Sequence, residues 1–211
     1  MNLVIAIDGP AASGKGTVAE RLAQLYGLPH MDTGLLYRAV GMETLRGGGE
    51  IAEAAAADAA RGLSVSGLAH PELRGGPAGE AASRVAAYPA VRDALLKLQR
   101  DFAGQPGGAV LDGRDIGTVI APDADVKIFV TAAPKVRAER RWKQLVGQGE
   151  TIAFDDVLAD IRRRDARDSG RDTAPLVRAP DATLLDTTEM DISQAVDAAR
   201  RIVEAARARK G

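Results

Sequence analysis

Cysteine is absent from this chain of 211 residues, which excludes disulfides, thiolate metal sites and thiol nucleophiles. Such a composition fits a reducing compartment. Aromatic residues make up only 3%, too few for the stacking platforms on which single-stranded nucleic acid lies. The formal net charge is −1, so no overall field draws the chain to nucleic acid or to anionic lipid. No segment approaches the roughly 18 consecutive apolar residues that a spanning helix needs. The amino-terminal residues have no basic region and no long apolar run, so they do not read as a signal peptide. The expectation is a cytoplasmic protein with neither nucleic acid nor membrane as a partner. Nothing points to an obligate interface, so a monomer is expected.

What is present is an ordinary globular composition, 45% hydrophobic and 27% charged. A chain of this length suits one domain, or one core with small appended subdomains. Leu3 to Ile7 is a short β-branched apolar run of the kind buried on both faces of a parallel sheet. A glycine-rich turn follows, and Thr17 to Tyr26 reads as an amphipathic helix on Val18, Leu22 and Leu25, closed by Gly27. Asp32 or Thr33 is placed to cap a helix through Leu36, Val40 and Leu45 that ends at Gly47 to Gly49. Residues 50–80 show no clear period and read as short helices and turns. Glu80 to Arg100 is helical, interrupted or kinked at Pro89.

Ala109 to Leu111 and Val126 to Val130 are further strands, and Thr183 to Leu185 a last one. Helices are expected over Pro134 to Val146, Phe154 to Arg167 and Ile192 to Arg209. This alternation predicts an α/β fold, one doubly wound parallel sheet between helical layers.

The chemistry begins at Gly9-Pro10-Ala11-Ala12-Ser13-Gly14-Lys15-Gly16-Thr17. Glycines at both ends let the backbone turn sharply and aim its N–H groups at phosphate oxygens. The helix that follows presents its positive end to the same anion. Lys15 supplies a charge to the β- and γ-phosphates, and a hydroxyl from Thr17, or less obviously Ser13, is a candidate ligand for Mg2+. The strand before and the helix after are the context this motif requires. Its position therefore predicts binding of a nucleoside triphosphate, without naming what accepts the phosphate.

Four further segments narrow the reading. Met31 to Arg38 (MDTGLLYR), Ala82 to Ala87 running on to Arg92, Leu111 to Thr118 (LDGRDIGT) and Arg164 to Arg171 (RDARDSGR) stand in this order. With the Gly-Lys-Gly-Thr form of the loop, they resemble the bacterial-type cytidylate kinase family, over roughly residues 4–190. The resemblance implies ATP-dependent phosphorylation of CMP and dCMP with Mg2+. It implies a three-layer P-loop fold with a core of about 1–33, 105–143 and 172–211, a monophosphate-binding subdomain of about 34–104 and a mobile lid of about 144–171. Thr33, Tyr37 and Arg38 would hold the phosphate and sugar side of the acceptor. Ser83, Arg92 and Asp115 would face the cytosine, and Arg114 would sit on the phosphate. Arg164, Asp168 and Arg171 would close over the transfer site, with Asp168 on the sugar hydroxyls. Lys15, Arg114, Arg164 and Arg171 form the expected catalytic set, and Arg140 and Arg167 join the loop in holding ATP. Two departures from the family concern its usual β-rich insert, for which residues 62–73 leave little room, and Gly75 to Gly79, where the family has a threonine-capped helix start.

The residue types agree with these roles. Cytosine offers an amino donor at N4 and acceptors at N3 and O2, so a selective site needs a carboxylate and donors, here Asp115 with Arg92 and Ser83. Asp112 reads either as a partner of hydrated Mg2+ or as a turn residue. Arg162 and Arg163 read as a solvated face, with Asp160, Asp165 and Asp168 as helical partners. Arg164, Arg167 and Arg171 would share a face if that helix persists through Gly170. Arg137, Arg140 and Arg141 form a second patch, at least one of them expected in solvent. His30 and His70 need no catalytic role, because a phosphate nucleophile is already anionic near neutral pH. Other acceptors, or a nucleotide-controlled switch, remain as rival readings; no Asn-Lys-x-Asp guanine-reading segment supports a switch.

Overall fold

The computed structural model describes residues 2–48, 50–64, 68 and 70–209. Five strands, β1 (Leu3–Asp8), β2 (His30–Asp32), β3 (Gly108–Gly113), β4 (Val126–Thr131) and β5 (Thr183–Asp186), form one parallel sheet in the order β2-β3-β1-β4-β5. Side chains alternate across it. Ile5, Ile7, Val110 and Ile128 pack on one face against α1 (Lys15–Tyr26) and α8 (Ile192–Ala208). Ala6, Ala109 and Leu111 pack on the other with α5 (Pro89–Ala103) and a short π-type turn, Ile116–Ile120. Covering both faces is what makes the central strands continuously apolar. The expected three-layer α/β arrangement is therefore present.

Two helical groups stand beside this core. The helices α2 (Thr33–Gly48), α3 (Glu53–Arg61), α4 (Gly76–Val85) and α5 enclose a core of their own around Leu36, Val40, Val85, Val91 and Leu95. The helices α6 (Pro134–Gly147) and α7 (Phe154–Ser169) pack on each other and on Ala11 through Ala138, Leu145, Val157 and Ile161.

Several expectations need correcting. Leu25 is 54% exposed, because α1 meets the sheet through the narrower stripe of Val18, Ala19, Leu22 and Ala23. The interruption expected at Pro89 is there, as a break at Ala86–Tyr88 between two helices, but the first of them already begins at Gly76 with Pro77 in its opening turn. Pro89 starts α5, where its missing N–H costs nothing. The helix α7 stops at Ser169, so Arg171 lies beyond it. A short 3-10 helix, Pro71–Arg74, occupies part of the segment left open by the sequence; residues 65–67 and 69, like Gly49, lie outside the described residues.

Candidate active site

Every loop with a chemical signature leaves the carboxyl edge of the sheet, where open α/β folds collect their ligands. Gly9 follows β1, Thr33 follows β2, Arg114 follows β3 and Thr187 follows β5. The phosphate loop needs its glycines. Gly9 has φ 155°, and a Cβ there would meet the Val130 carbonyl oxygen at 2.0 Å. Gly14, at φ 89°, precedes α1 directly. Ala12 also holds a left-handed backbone, at φ 59°, a conformation that persists only where the surroundings fix it.

Two cavities open on either side of this loop. The inner one is lined by Lys15, Gly16, Asp32, Thr33, Tyr37, Arg38, Ser83, Arg92, Asp112, Arg114, Asp115, Arg141, Arg164, Asp168 and Arg171. Lys15 Nζ lies 3.9 Å from Asp112 Oδ2. Burial, and the guanidinium of Arg114 nearby, push its ammonium down to about 8. Asp112 is a residue of β3 and not of a turn, register-paired with Asp32 and 1% exposed. Its other oxygen meets His30 Nε2 at 2.9 Å; burial works against charge on that imidazole, but Asp112 and Asp32 raise its pKa overall. His70 is exposed and accepts from the Glu72 amide, at 3.3 Å.

In the same cavity, Arg92 forms a buried ion pair with Asp115, and its guanidinium lies 5.8 Å from the centre of the Tyr37 ring. Asp168 accepts from the Ser83 hydroxyl at 2.9 Å and from Arg114 Nε at 2.9 Å. Burial would raise the Asp168 carboxyl, but Arg114, Arg171 and Arg164 hold it below the usual carboxylate range. Burial, with Arg114 nearby, lowers Arg164 to about 10. The buried Nε atoms of Arg164 and Arg171 have no hydrogen-bond partner, and unpaired buried donors of this kind suit an anion. Thr33 donates to the Asp112 carbonyl at 2.9 Å, and Arg38 to the Leu73 carbonyl at 3.0 Å.

The outer cavity is lined by Ala12, Ser13, Gly14, Thr17, Val18, Arg140, Thr187, Met190, Asp191 and Ile192. Arg140 donates to the Thr187 hydroxyl at 3.0 Å and to the Thr187 carbonyl at 2.7 Å.

Not every expected residue is where the sequence suggested. Thr17 belongs to the outer cavity, whereas Gly16 faces Asp112, its virtual Cβ 3.8 Å from Oδ2. One helical step of about 100° separates the two positions, so these successive residues of α1 look onto different cavities. Arg167 lines neither cavity; it pairs with Glu80 of α4 at 2.8 Å. None of the α6 arginines is free in solvent. Arg137 is 3% exposed, holds Asp165 of α7 at 2.6 and 3.0 Å, and reaches the Ala11 carbonyl of the phosphate loop at 3.2 Å. Asp165 is thus a partner between helices rather than within α7. Arg141 donates to the Arg74 carbonyl at 3.3 Å.

The whole chain compares closely with known proteins. The cytidylate kinase family model matches residues 5–205. A cytidylate kinase of Caulobacter vibrioides is 66% identical over 99% of both chains, and one of Xanthobacter autotrophicus is 65% identical over 98% of this chain and 99% of that one. The chain belongs to the cytidylate kinase family. Among solved structures, an uncharacterized protein from Eubacterium ventriosum aligns over 97% of this chain and 99% of its own, with a TM-score of 0.58 at 13% identity, and shares the fold.

For this cytidylate kinase family member, the depressed Lys15 makes a measurable prediction. A triphosphate on the loop restores the ammonium, so ATP binding at about pH 8 takes up roughly half a proton, while at about pH 6.5 Lys15 is already charged and contributes none. Calorimetry in buffers of different ionisation enthalpy measures this uptake, and equal uptake in a Lys15→Ala variant would assign it elsewhere.

Proposed function

We propose that the chain transfers the γ-phosphoryl group of ATP to CMP and dCMP, giving CDP and dCDP, with the acceptor in the inner cavity and the donor nucleoside in the outer one. The observation that carries this reading is the buried Arg92–Asp115 pair in a cavity that Lys15, Arg38, Arg114, Arg164 and Arg171 also line. A carboxylate and a guanidinium side by side match the donor and acceptors of cytosine, and the cations above match a monophosphate facing a triphosphate.

The residues present fit Mg2+, because two neighbouring carboxylates, Asp32 and Asp112, line the cavity next to Lys15. Mg2+ is commonly held by one or two carboxylates together with waters and substrate phosphates. Asp32 and Asp112 would hold it, and when bound it would neutralise charge on the transferring group. Burial and the Asp112 charge raise the Asp32 pKa, which a cation nearby would oppose.

Transfer proceeds by in-line attack of an acceptor phosphate oxygen on the γ-phosphorus. A P–O bond forms there as the bond to the β–γ bridging oxygen breaks, and ADP leaves. No general base is required, since the attacking oxygen is already anionic; catalysis rests on position and charge. Lys15 and Arg114 hold the phosphates, and Arg164 and Arg171 stabilise the equatorial charge of the transition state. Ser83, Arg92 and Asp115 orient the base, Thr33, Tyr37 and Arg38 bind the phosphate and sugar side, and Asp168 meets the sugar hydroxyls.

The separate cores around α2–α5 and around α6–α7 support a division into a monophosphate-binding subdomain and a lid that excludes water. Among the described residues no helix is long and apolar enough to cross a membrane.

Comparing kcat/KM for CMP, dCMP, UMP and AMP with ATP as donor tests the assignment. Both cytosine nucleotides are expected to exceed UMP and AMP by at least about 100-fold. A preference for AMP would overturn the reading of the inner cavity.

A further inference from the structure

Asp8 ends β1, one position before Gly9 opens the phosphate loop, yet its side chain serves a different segment. Its Oδ1 accepts from the backbone N–H of Ile116 at 2.7 Å, and its Oδ2 from that of Gly117 at 2.8 Å. These consecutive amides come directly after Asp115, and Asp8 itself is only 5% exposed. A buried carboxylate that accepts two backbone donors makes strong, directional bonds. The segment needs such an anchor. Asp115 has φ −144° and ψ 26°, neither helical nor extended, so no regular hydrogen-bond ladder sets the direction of its side chain. The fit is close, too: a Cβ on Gly117 would sit 3.3 Å from Asp8 Oδ2.

We propose that Asp8 is a positioning residue for base selection, clamping the Ile116 and Gly117 amides so that the Asp115 carboxylate stays aimed into the acceptor cavity beside Arg92. The strand that carries the donor loop thereby also holds the group that chooses the acceptor. This inference rests on the reading of Asp115 as the carboxylate that faces the base.

The clamp is also sensitive to pH. Burial lifts the Asp8 carboxyl to about 6 in spite of its two N–H bonds; the Asp115 charge adds to the rise and Lys15 on α1 opposes it. From β4, Lys127 runs its stem past Gly117, but its ammonium is taken by Asp181 at 2.8 Å. A protonated carboxyl keeps one good acceptor oxygen and turns a donor toward a backbone donor. The clamp is therefore intact above this value and loosens as pH falls through it.

The readout is the ratio of kcat/KM for CMP to that for UMP. Both acceptors carry the same phosphate, whose own ionisation cancels. In the wild-type enzyme the ratio is expected to fall as pH drops from about 7.5 to about 5.5. In Asp8→Asn, which offers one acceptor and sets an N–H against an N–H, the ratio should be about tenfold lower at about pH 7.5, independent of pH, with KM for ATP little changed. An unchanged ratio, or a loss confined to ATP binding, would overturn the proposal. Asp115→Ala separates the two levels. If that variant keeps the wild-type ratio, the base-reading assignment fails. If it loses the ratio while Asp8→Asn keeps it, the clamp alone is refuted. Should Asp8→Asn fail to fold, NMR of the wild-type enzyme decides: the Asp8 carboxyl carbon and the Ile116 and Gly117 amide protons should share one titration near pH 6, and amides that do not respond would refute the clamp.

Discussion

Replacing Lys15 by alanine is expected to lower kcat by about 10²–10³ while the protein stays at least as stable as the wild type near neutral pH. The activity loss follows from geometry. Lys15 is the compact charge at the start of α1, in a buried cavity where a preorganised cation is worth more than in water; removing one such group typically costs about 3–4 kcal/mol of transition-state stabilisation. The stability half follows from linkage. A lysine whose folded pKa is lowered to about 8 binds its proton less tightly folded than unfolded. Its charged form thus penalises folding; the penalty grows as pH falls from the ordinary lysine value toward about 8 and is fully present below. Removing the side chain removes the penalty, and Asp112 keeps His30 as a partner at 2.9 Å. Steady-state kinetics and thermal melts measure the two halves. Turnover within about threefold of wild type would contradict the assigned role, and a large fall in Tm would show that Lys15 supports the fold. Lys15→Arg should not rescue activity, since a planar fork does not replace a point charge in this space.

This trade between stability and activity extends to other groups of the inner cavity, although the Arg114–Asp168 pair runs the other way. Burial lowers Arg164 as it does Lys15 and raises Asp32, and in each case the cause is water excluded before any substrate arrives. Clustered cations of this kind are a cost to the free protein and a gain once phosphate oxygens lie between them.

What the sequence revealed was what is encoded locally. The phosphate loop, the strands on either side of it and the amphipathic helices are set by glycine positions and apolar spacing within about ten residues. The closing helix even carries a capping box: Asp191 accepts from the Gln194 amide at 2.8 Å, and Gln194 returns the bond at 3.0 Å. The start of α4 was hidden because Gly75 and Gly76 offer no capping side chain. The pairings that tune the site were hidden for a different reason. Asp8 meets Ile116 across 108 positions, Arg167 meets Glu80 across 87 and Arg137 meets Asp165 across 28. No spacing rule connects such partners; the parallel sheet and the packing of α7 on α4 and α6 bring them together. An arginine run looks the same in sequence whether its members face phosphate, a carbonyl or water. Only the register of α7 separates Arg164, in the cavity, from Arg167, on Glu80.

The second large effect concerns the choice of base. Asp115→Ala is expected to reduce the CMP-to-UMP ratio of kcat/KM by about 10²–10³ while KM for ATP stays near its wild-type value. Uracil places an acceptor where cytosine has its amino donor, so in the wild-type site the carboxylate repels uracil, and removing it removes both the bond and the repulsion. Alanine, however, also leaves the Arg92 guanidinium buried without its partner, which costs about 3–5 kcal/mol and should lower Tm. Asp115→Asn separates the two effects. It keeps a hydrogen-bond acceptor for Arg92, so less stability is lost than with alanine, although the counter-charge is gone, and it can turn its amide N–H toward a base carbonyl. The asparagine variant should therefore accept UMP more readily than the wild type does, with the gain expressed in kcat/KM for UMP rather than for ATP. If either substitution instead weakened ATP and left base choice intact, Asp115 would belong to the donor side of the phosphate loop, and the Arg92 pair would be an element of the fold with no part in recognition.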